Sequence, residues 1–203
     1  MHQLKLTYFD SLGRGEPARL ALKIGNIPFD DERIPIEAWS KFKHSTPFGE
    51  LPVLTVDGCQ ISQSNSINRF VGRLANLYPN DPVQALYCDE MMDAVDDLLQ
   101  KVVITTVIAD ESKKQKEQEA LLDGPVTLYL RRFEERLQEN GGKYFAGNDL
   151  SVADLKVFVW VQYLLSGSLD YIPTETVERT APCLLEHFNR ISQNPAIKRH
   201  YGL

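Results

Sequence analysis

The chain has 203 residues, 43% hydrophobic and 25% charged, with a formal net charge of −6. That length accommodates one large domain or two small ones, and the composition excludes collagen-like and disordered classes. The charge excludes the basic footprint of a nucleic-acid surface, and the longest nearly uncharged apolar run, VVITTVIA at 102–109, is too short to cross a bilayer.

Three widely spaced cysteines (Cys59, Cys88 and Cys183) contain no C-x-x-C pair. They argue against a disulfide framework and against a dithiol redox centre. The opening MHQLKLTYFD shows no basic region followed by a long apolar one. No secretory leader or membrane association is therefore expected, and a cytoplasmic location is.

The first elements alternate. KLTYF (5–9) has strand composition, and from Gly15 the positions Ala18, Leu20, Ala21, Leu22 and Ile24 fit a helix. Pro17 is tolerated in its first turn, and Gly25-Asn26 closes it. PFDDERI (28–34) reads as a second strand. PVLTVDGCQIS (52–62) reads as a hairpin turning at Asp57-Gly58. After QSNS (63–66), the spacing of Ile67, Phe70, Val71, Leu74 and Leu77 predicts a helix. The order is βαβ, a connection, then ββα.

At YPNDPVQ (78–84) the character changes. We expect an α/β domain over 1–78, a stiff linker over 79–84 and an all-helical domain over 85–203. One apolar stripe runs Cys88, Met91, Met92, Val95, Leu98, Leu99, Val102 and Val103. A second runs Val126, Tyr129, Leu130, Phe133 and Leu137. LSVADLKVFVWVQYLL (150–165) opens with a capping box, Ser151 to Asp154, and a hydrophobic staple, Leu150 to Leu155.

The stretch KLTYFDSLGRGEPARLAL (5–22) carries the first functional question. Gly13-x-Gly15-x-x-Ala18 matches a dinucleotide fingerprint, and Glu32 stands at about the right distance for a ribose. But the strand ends four residues before Gly13, and the later strands form a tight antiparallel hairpin. A dinucleotide fold needs the glycine close behind the strand and a third parallel strand. Tyr8 is then either a half-buried strand aromatic or a reacting phenol. Arg14 is either a surface side chain or a charge placed beside that phenol.

Further stretches weigh on that choice: Trp39 and Lys43 in EAWSKFK, TPFGELPVLTVDG, SQSNSINRF, the Asp96-Asp97 pair and GNDLSVADL. With KLTYFDSLGRGEPARL, in this order and spacing, the chain resembles the cytosolic glutathione S-transferases over essentially its whole length. It is most similar to the sigma class, which includes glutathione-dependent prostaglandin D synthases and S-crystallins. The resemblance implies a thioredoxin-like N-terminal domain, an all-α C-terminal domain and a homodimer. It implies glutathione as cosubstrate, a hydrophobic electrophile as second substrate and no tightly bound cofactor.

Site residues follow from the same resemblance. Tyr8 donates its hydroxyl hydrogen to the glutathione sulfur, and Arg14 adds a favourable field. Gln63 and Ser64, at a helix start, hold the γ-glutamyl carboxylate, a placement that suits an anion. Ser64 is equally suited to capping that helix. Trp39 and Lys43 reach the glycyl carboxylate. Leu51-Pro52 matches the family's cis-proline, which turns the Leu51 backbone toward the cysteinyl part. Asp97 crosses the dimer to the γ-glutamyl amine. Phe9, Gly13, Leu99, Ile104 and Trp160 line the second-substrate pocket.

Asp93, Asp96 and Asp97 stand at i, i+3 and i+4, on one helix face. They form either a solvated acidic face or a supporting network, or, as the resemblance to some sigma-class prostaglandin synthases implies, they bind a divalent cation with their symmetry mates at the dimer interface. His2, His44, His187 and His200 match no metal-ligand spacing.

Two positions depart from the family. Glu50 stands where lysine or glutamine usually helps hold the glycyl end, and unless it points away or pairs with Lys41 or Lys43 it predicts weaker glutathione binding or a rearranged glycyl end. Ile104 stands where the prostaglandin synthases carry a pocket tryptophan. The expected function is glutathione transfer. The alternatives are a weakly active or non-catalytic glutathione- or ligand-binding protein, and a glutathione-dependent prostaglandin isomerase.

Overall fold

The computed structural model describes residues 2–202, so Met1 and Leu203, the outer limits of the two expected domains, lie outside it. A four-stranded mixed sheet in the order β2-β1-β3-β4 forms the thioredoxin-like N-terminal domain. β1 (Leu4–Phe9) is parallel to β2 (Asp30–Ile34) and antiparallel to β3 (Val53–Val56). β4 (Cys59–Ile61) closes a hairpin with β3. Asp57 and Gly58, between them, have φ of 50° and 87°. Positive φ at both central residues is what a two-residue hairpin of the right twist requires.

Parallel strands need a crossover, and α1 (Glu16–Ile24) supplies it. β1 is the central strand, with Leu4, Leu6, Thr7 and Tyr8 all buried. α3 (Ser64–Leu74) packs beside α1. The short α2 (Trp39–Phe42) lies between two 3-10 turns on the way to β3. The Leu51–Pro52 bond is cis.

The C-terminal domain is helical. It contains α4 (Pro82–Thr106), α5 (Glu111–Leu121), α6 (Thr127–Glu139), α7 (Val152–Leu165), α8 (Thr176–Thr180), α9 (Pro182–Ser192) and α10 (Pro195–Tyr201). α4 begins inside the expected 79–84 linker. Asp81 caps it, accepting from the N–H groups of Val83 and Gln84 at 3.0 and 2.9 Å, and Pro82 takes the first helical position. Pro there gives up no helical bond. α7 is the central mast: every residue from Val152 to Val161 is buried, as a helix surrounded by others requires. Its capping box is formed, with Asp154 Oδ2 accepting from the Ser151 N–H at 2.8 Å and from the Ser151 hydroxyl at 2.6 Å.

A buried polar knot ties the two domains together. Glu16 on α1 accepts from Arg19, bonds His200 Nε2 at 2.7 Å and accepts from the Tyr201 hydroxyl at 2.9 Å. Arg19 Nε also donates to Asp31 at 2.8 Å. Burial works to raise the Glu16 carboxyl, but His200, Arg19 and Tyr201 outweigh it and hold it below its ordinary 4.5. A carboxyl depressed in the folded state contributes stability above its unfolded pKa and loses it as pH falls through the folded value. Thermal melts from about pH 6 down to about 3 are therefore expected to fall more steeply for the wild type than for Glu16→Gln. Parallel curves would mean that this knot does not govern acid stability.

Candidate active site

Tyr8 stands one residue before the end of β1 and is only 8% exposed. The turn that follows wraps around its ring. A Cβ at Gly13 would lie 2.6 Å from the Tyr8 hydroxyl oxygen, and one at Gly15 would lie 2.3 Å from Cγ. Both glycines are therefore required by close approach to the phenol, and no phosphate cradle is needed to explain them. The backbone N–H of Arg14, between them, donates to the Tyr8 oxygen at 3.0 Å. An oxygen that already accepts keeps its own hydrogen for another acceptor. Burial pushes the Tyr8 hydroxyl above its ordinary 10.0, against opposing pulls from the Arg14 N–H and guanidinium. The phenol is thus protonated and a donor at neutral pH.

Tyr8 opens onto a cavity of about 270 Å³ between the two domains. Of the residues singled out in the sequence, Tyr8, Phe9, Gly13, Arg14, Leu51, Leu99 and Trp160 share its wall. Ile104 does not. It is 62% exposed, and Val103 takes the wall instead. The reason is helical phase: Val103 lies four residues after Leu99 and shares its face, whereas one residue more rotates the side chain by about 100°. Leu12, Pro17, Val95, Val159 and Tyr163 add to the largely apolar lining.

The other expected glutathione residues lie off that cavity wall. Gln63 precedes α3 with φ 77° and ψ 103°, a strained conformation for a residue with a Cβ. Ser64 is buried, its hydroxyl 3.4 Å from Asp96 Oδ2. Trp39 is half-buried and meets Phe9 edge-on at 5.7 Å between ring centres. Lys43 and Glu50 are exposed, Pro52 is buried, and among the described residues Glu50 pairs with neither Lys41 nor Lys43. Asp97 is exposed on α4.

The divalent-cation site is not supported. Asp93 accepts from Asn65 at 2.6 Å and lies 3.9 Å from Arg69. Asp96 lies 2.6 Å from Lys156 Nζ and 3.5 Å from Arg14 Nε. With these carboxylates committed to cations of their own chain, no metal-binding group of three converges among the described residues.

Lys156 is the charged site residue that sequence reasoning missed, alongside apolar wall residues such as Val103 and Val159. Its side chain is 2% exposed, lines the cavity, and donates to both Asn65 and Asp96. Burial pushes its ammonium below the ordinary 10.5, while Asp96 and Asp93 pull the other way. The available signal was one lysine inside the apolar run VADLKVFVWV.

A sheet domain of thioredoxin type, a helical domain and a phenol aimed into the cleft between them define a class of two-domain proteins. A family model described as glutathione S-transferase, N-terminal domain, matches residues 4–73. Another, described as glutathione S-transferase, C-terminal domain, matches residues 96–201. A glutathione S-transferase of Anopheles gambiae is 31% identical, covering 95% of this chain and 89% of that protein. Glutathione S-transferase 4 of Caenorhabditis elegans is 30% identical, covering 98% and 96%. The solved prostaglandin synthase D of Nilaparvata lugens has a TM-score of 0.88 at 32% identity, covering 98% and 97%. The chain belongs to the glutathione S-transferase family and is a transferase of that kind.

Proposed function

We propose that this is a sigma-class-like glutathione transferase in which Tyr8 holds bound glutathione as its thiolate for attack on a hydrophobic electrophile. The observation that carries this is the Tyr8 hydroxyl, fixed by the Arg14 N–H at 3.0 Å and standing on the cavity wall. A free thiol of this type has a pKa of about 8.5 and is mostly protonated at neutral pH. Lowering that value by about two units needs about 2.7 kcal/mol of preference for the thiolate. One charge-assisted bond from Tyr8 together with the Arg14 charge supplies that magnitude. The thiol proton leaves to solvent, and the sulfur lone pair forms the new bond to carbon. That carbon's bond to its leaving group breaks and carries its electron pair away or, on an activated alkene, the π pair moves to the adjacent atom and is protonated from solvent.

The remaining assignments follow the same reading. Gln63 and Ser64 hold the γ-glutamyl carboxylate at the start of α3, Leu51 pairs with the cysteinyl backbone beside Pro52, and Trp39 and Lys43 take the glycyl end. Phe9, Gly13, Leu99 and Trp160, with Val103, receive the second substrate. The protein works as a cytoplasmic homodimer in which Asp97, exposed on α4, reaches the partner's bound tripeptide.

Tyr8→Phe is expected to lower kcat about 10- to 100-fold while changing glutathione affinity only a few-fold, because the lost bond strengthens as the sulfur becomes anionic. The ultraviolet thiolate band seen on adding glutathione to the wild type should vanish. Undiminished turnover, or a band indifferent to the change, would assign thiol activation to another group.

Glu50 favours a second reading. Exposed and, among the described residues, without a lysine partner, it sets its charge against the glycyl carboxylate, which fits a ligand-binding protein with weak turnover. Retention on immobilised glutathione without conjugation of any apolar electrophile would select that reading. A prostaglandin isomerase finds support in the likeness to the Nilaparvata lugens protein, but Ile104, outside the cavity, gives it no pocket residue.

A further inference from the structure

We infer that Lys156 is a positioning residue for the thiolate: by sharing Asp96 with Arg14, it leaves the three groups with a net positive charge beside Tyr8. This rests on the reading that Tyr8 holds a thiolate.

Asp96 has two cations within reach. Lys156 Nζ lies 2.6 Å from Oδ2, and Arg14 Nε lies 3.5 Å from Oδ1. The nearer and more buried cation dominates the carboxylate, since opposite charges attract most strongly where water is excluded. Lys156 is held in place by Asn65 on α3 as well as by Asp96 on α4. Burial works hardest against its charge and Arg14 adds to that, while Asp96 and Asp93 act to keep it. Without the ammonium, Asp96 would have Arg14 as its sole cation, and the two charges would cancel beside the phenol. With it, the group of Arg14, Asp96 and Lys156 keeps one net positive charge at the cavity wall. The three donors of an ammonium are enough for Asn65, Asp96 and one further contact. A lysine in the middle of a buried helix is costly unless paired in this way.

The experiment titrates the thiolate band of bound glutathione, and kcat/KM, against pH in four proteins: wild type, Lys156→Met, Asp96→Asn and the double variant. Lys156→Met should raise the apparent thiol pKa by about one unit, a tenfold smaller thiolate fraction on the acid side. Asp96→Asn should shift the profile to lower pH. The double variant, having lost the carboxylate together with its counter-ion, should return toward the wild type.

Lys156→Arg should keep the wild-type profile. A lysine that only supports packing predicts no shift, and a double variant no better than Lys156→Met. Either result overturns the inference. If Lys156→Met fails to fold, Asp96→Asn decides alone: an unmoved or raised pKa refutes it. A wild type without any thiolate band refutes the Tyr8 reading and this inference together. A wild-type band that no variant shifts refutes this inference only.

Discussion

Replacing Asp154 with alanine is expected to lower the stability of the chain by about 3–5 kcal/mol. The carboxylate is fully buried and serves four groups from three segments. It meets the Ser151 N–H at 2.8 Å, the Ser151 hydroxyl at 2.6 Å, the Phe145 N–H at 3.0 Å and His187 Nε2 at 2.9 Å. One side chain thus starts α7, fixes the loop ahead of it and anchors α9. Truncation leaves two buried backbone donors and a buried imidazole without their acceptor. Each orphaned group costs about 1–3 kcal/mol, and a domain holds only about 5–15 in all. Because α7 carries Lys156 and Trp160 to the cavity, activity should fall in step with the unfolded fraction. Asp154→Asn keeps the shape and one acceptor oxygen, so its cost should be about half. Urea unfolding midpoints decide the matter, and a loss for Asp154→Ala within about 1 kcal/mol would show that water takes over the bonds.

The parts of the molecule that were legible in sequence are those specified by local physics. Asp57-Gly58 announces its turn because few residue pairs tolerate two positive φ values. Ser151 and Asp154 announce the start of α7 because the capping box needs only four consecutive residues. What escaped depends on phase or on distant neighbours. α5 buries only Gln118 among its residues, so no apolar stripe betrays it. Ile104 and Val103 are adjacent in sequence and equally apolar, yet only the exact phase of α4 decides which one meets the cavity. Lys156 reads as an anomaly inside an apolar helix until Asn65, distant in sequence, and Asp96 are brought to it. The acidic trio shares a helix face as expected, but cations from α3, α7 and the glycine turn claim two of its members.

Gly15→Ala should cost more activity than any other single methyl group added to this chain. The residue has φ −86° and ψ −20°, a conformation alanine adopts freely, so its need for glycine is steric alone. The added carbon would lie 2.3 Å from Tyr8 Cγ, 2.7 Å from Cδ1 and 2.8 Å from Cβ. These atoms sit at the root of the side chain on the central strand, where neither rotation nor a small backbone shift gives room. The ring or the turn must move by about an ångström, and the Arg14 N–H bond to the phenol moves with it. Misplacement on that scale costs about 10²-fold in rate, and overpacking costs about 1–3 kcal/mol in stability. Gly124→Ala is the control, since an added carbon there meets nothing within 4 Å and should change stability by less than about 0.5 kcal/mol. The comparison is read from kcat/KM and melting temperature measured together. Gly15→Ala protein that melts a few degrees lower but turns over normally would show that the phenol's position does not limit the reaction. A loss of turnover far beyond the loss of stability identifies the glycine turn as the mould that holds the phenol at the sulfur.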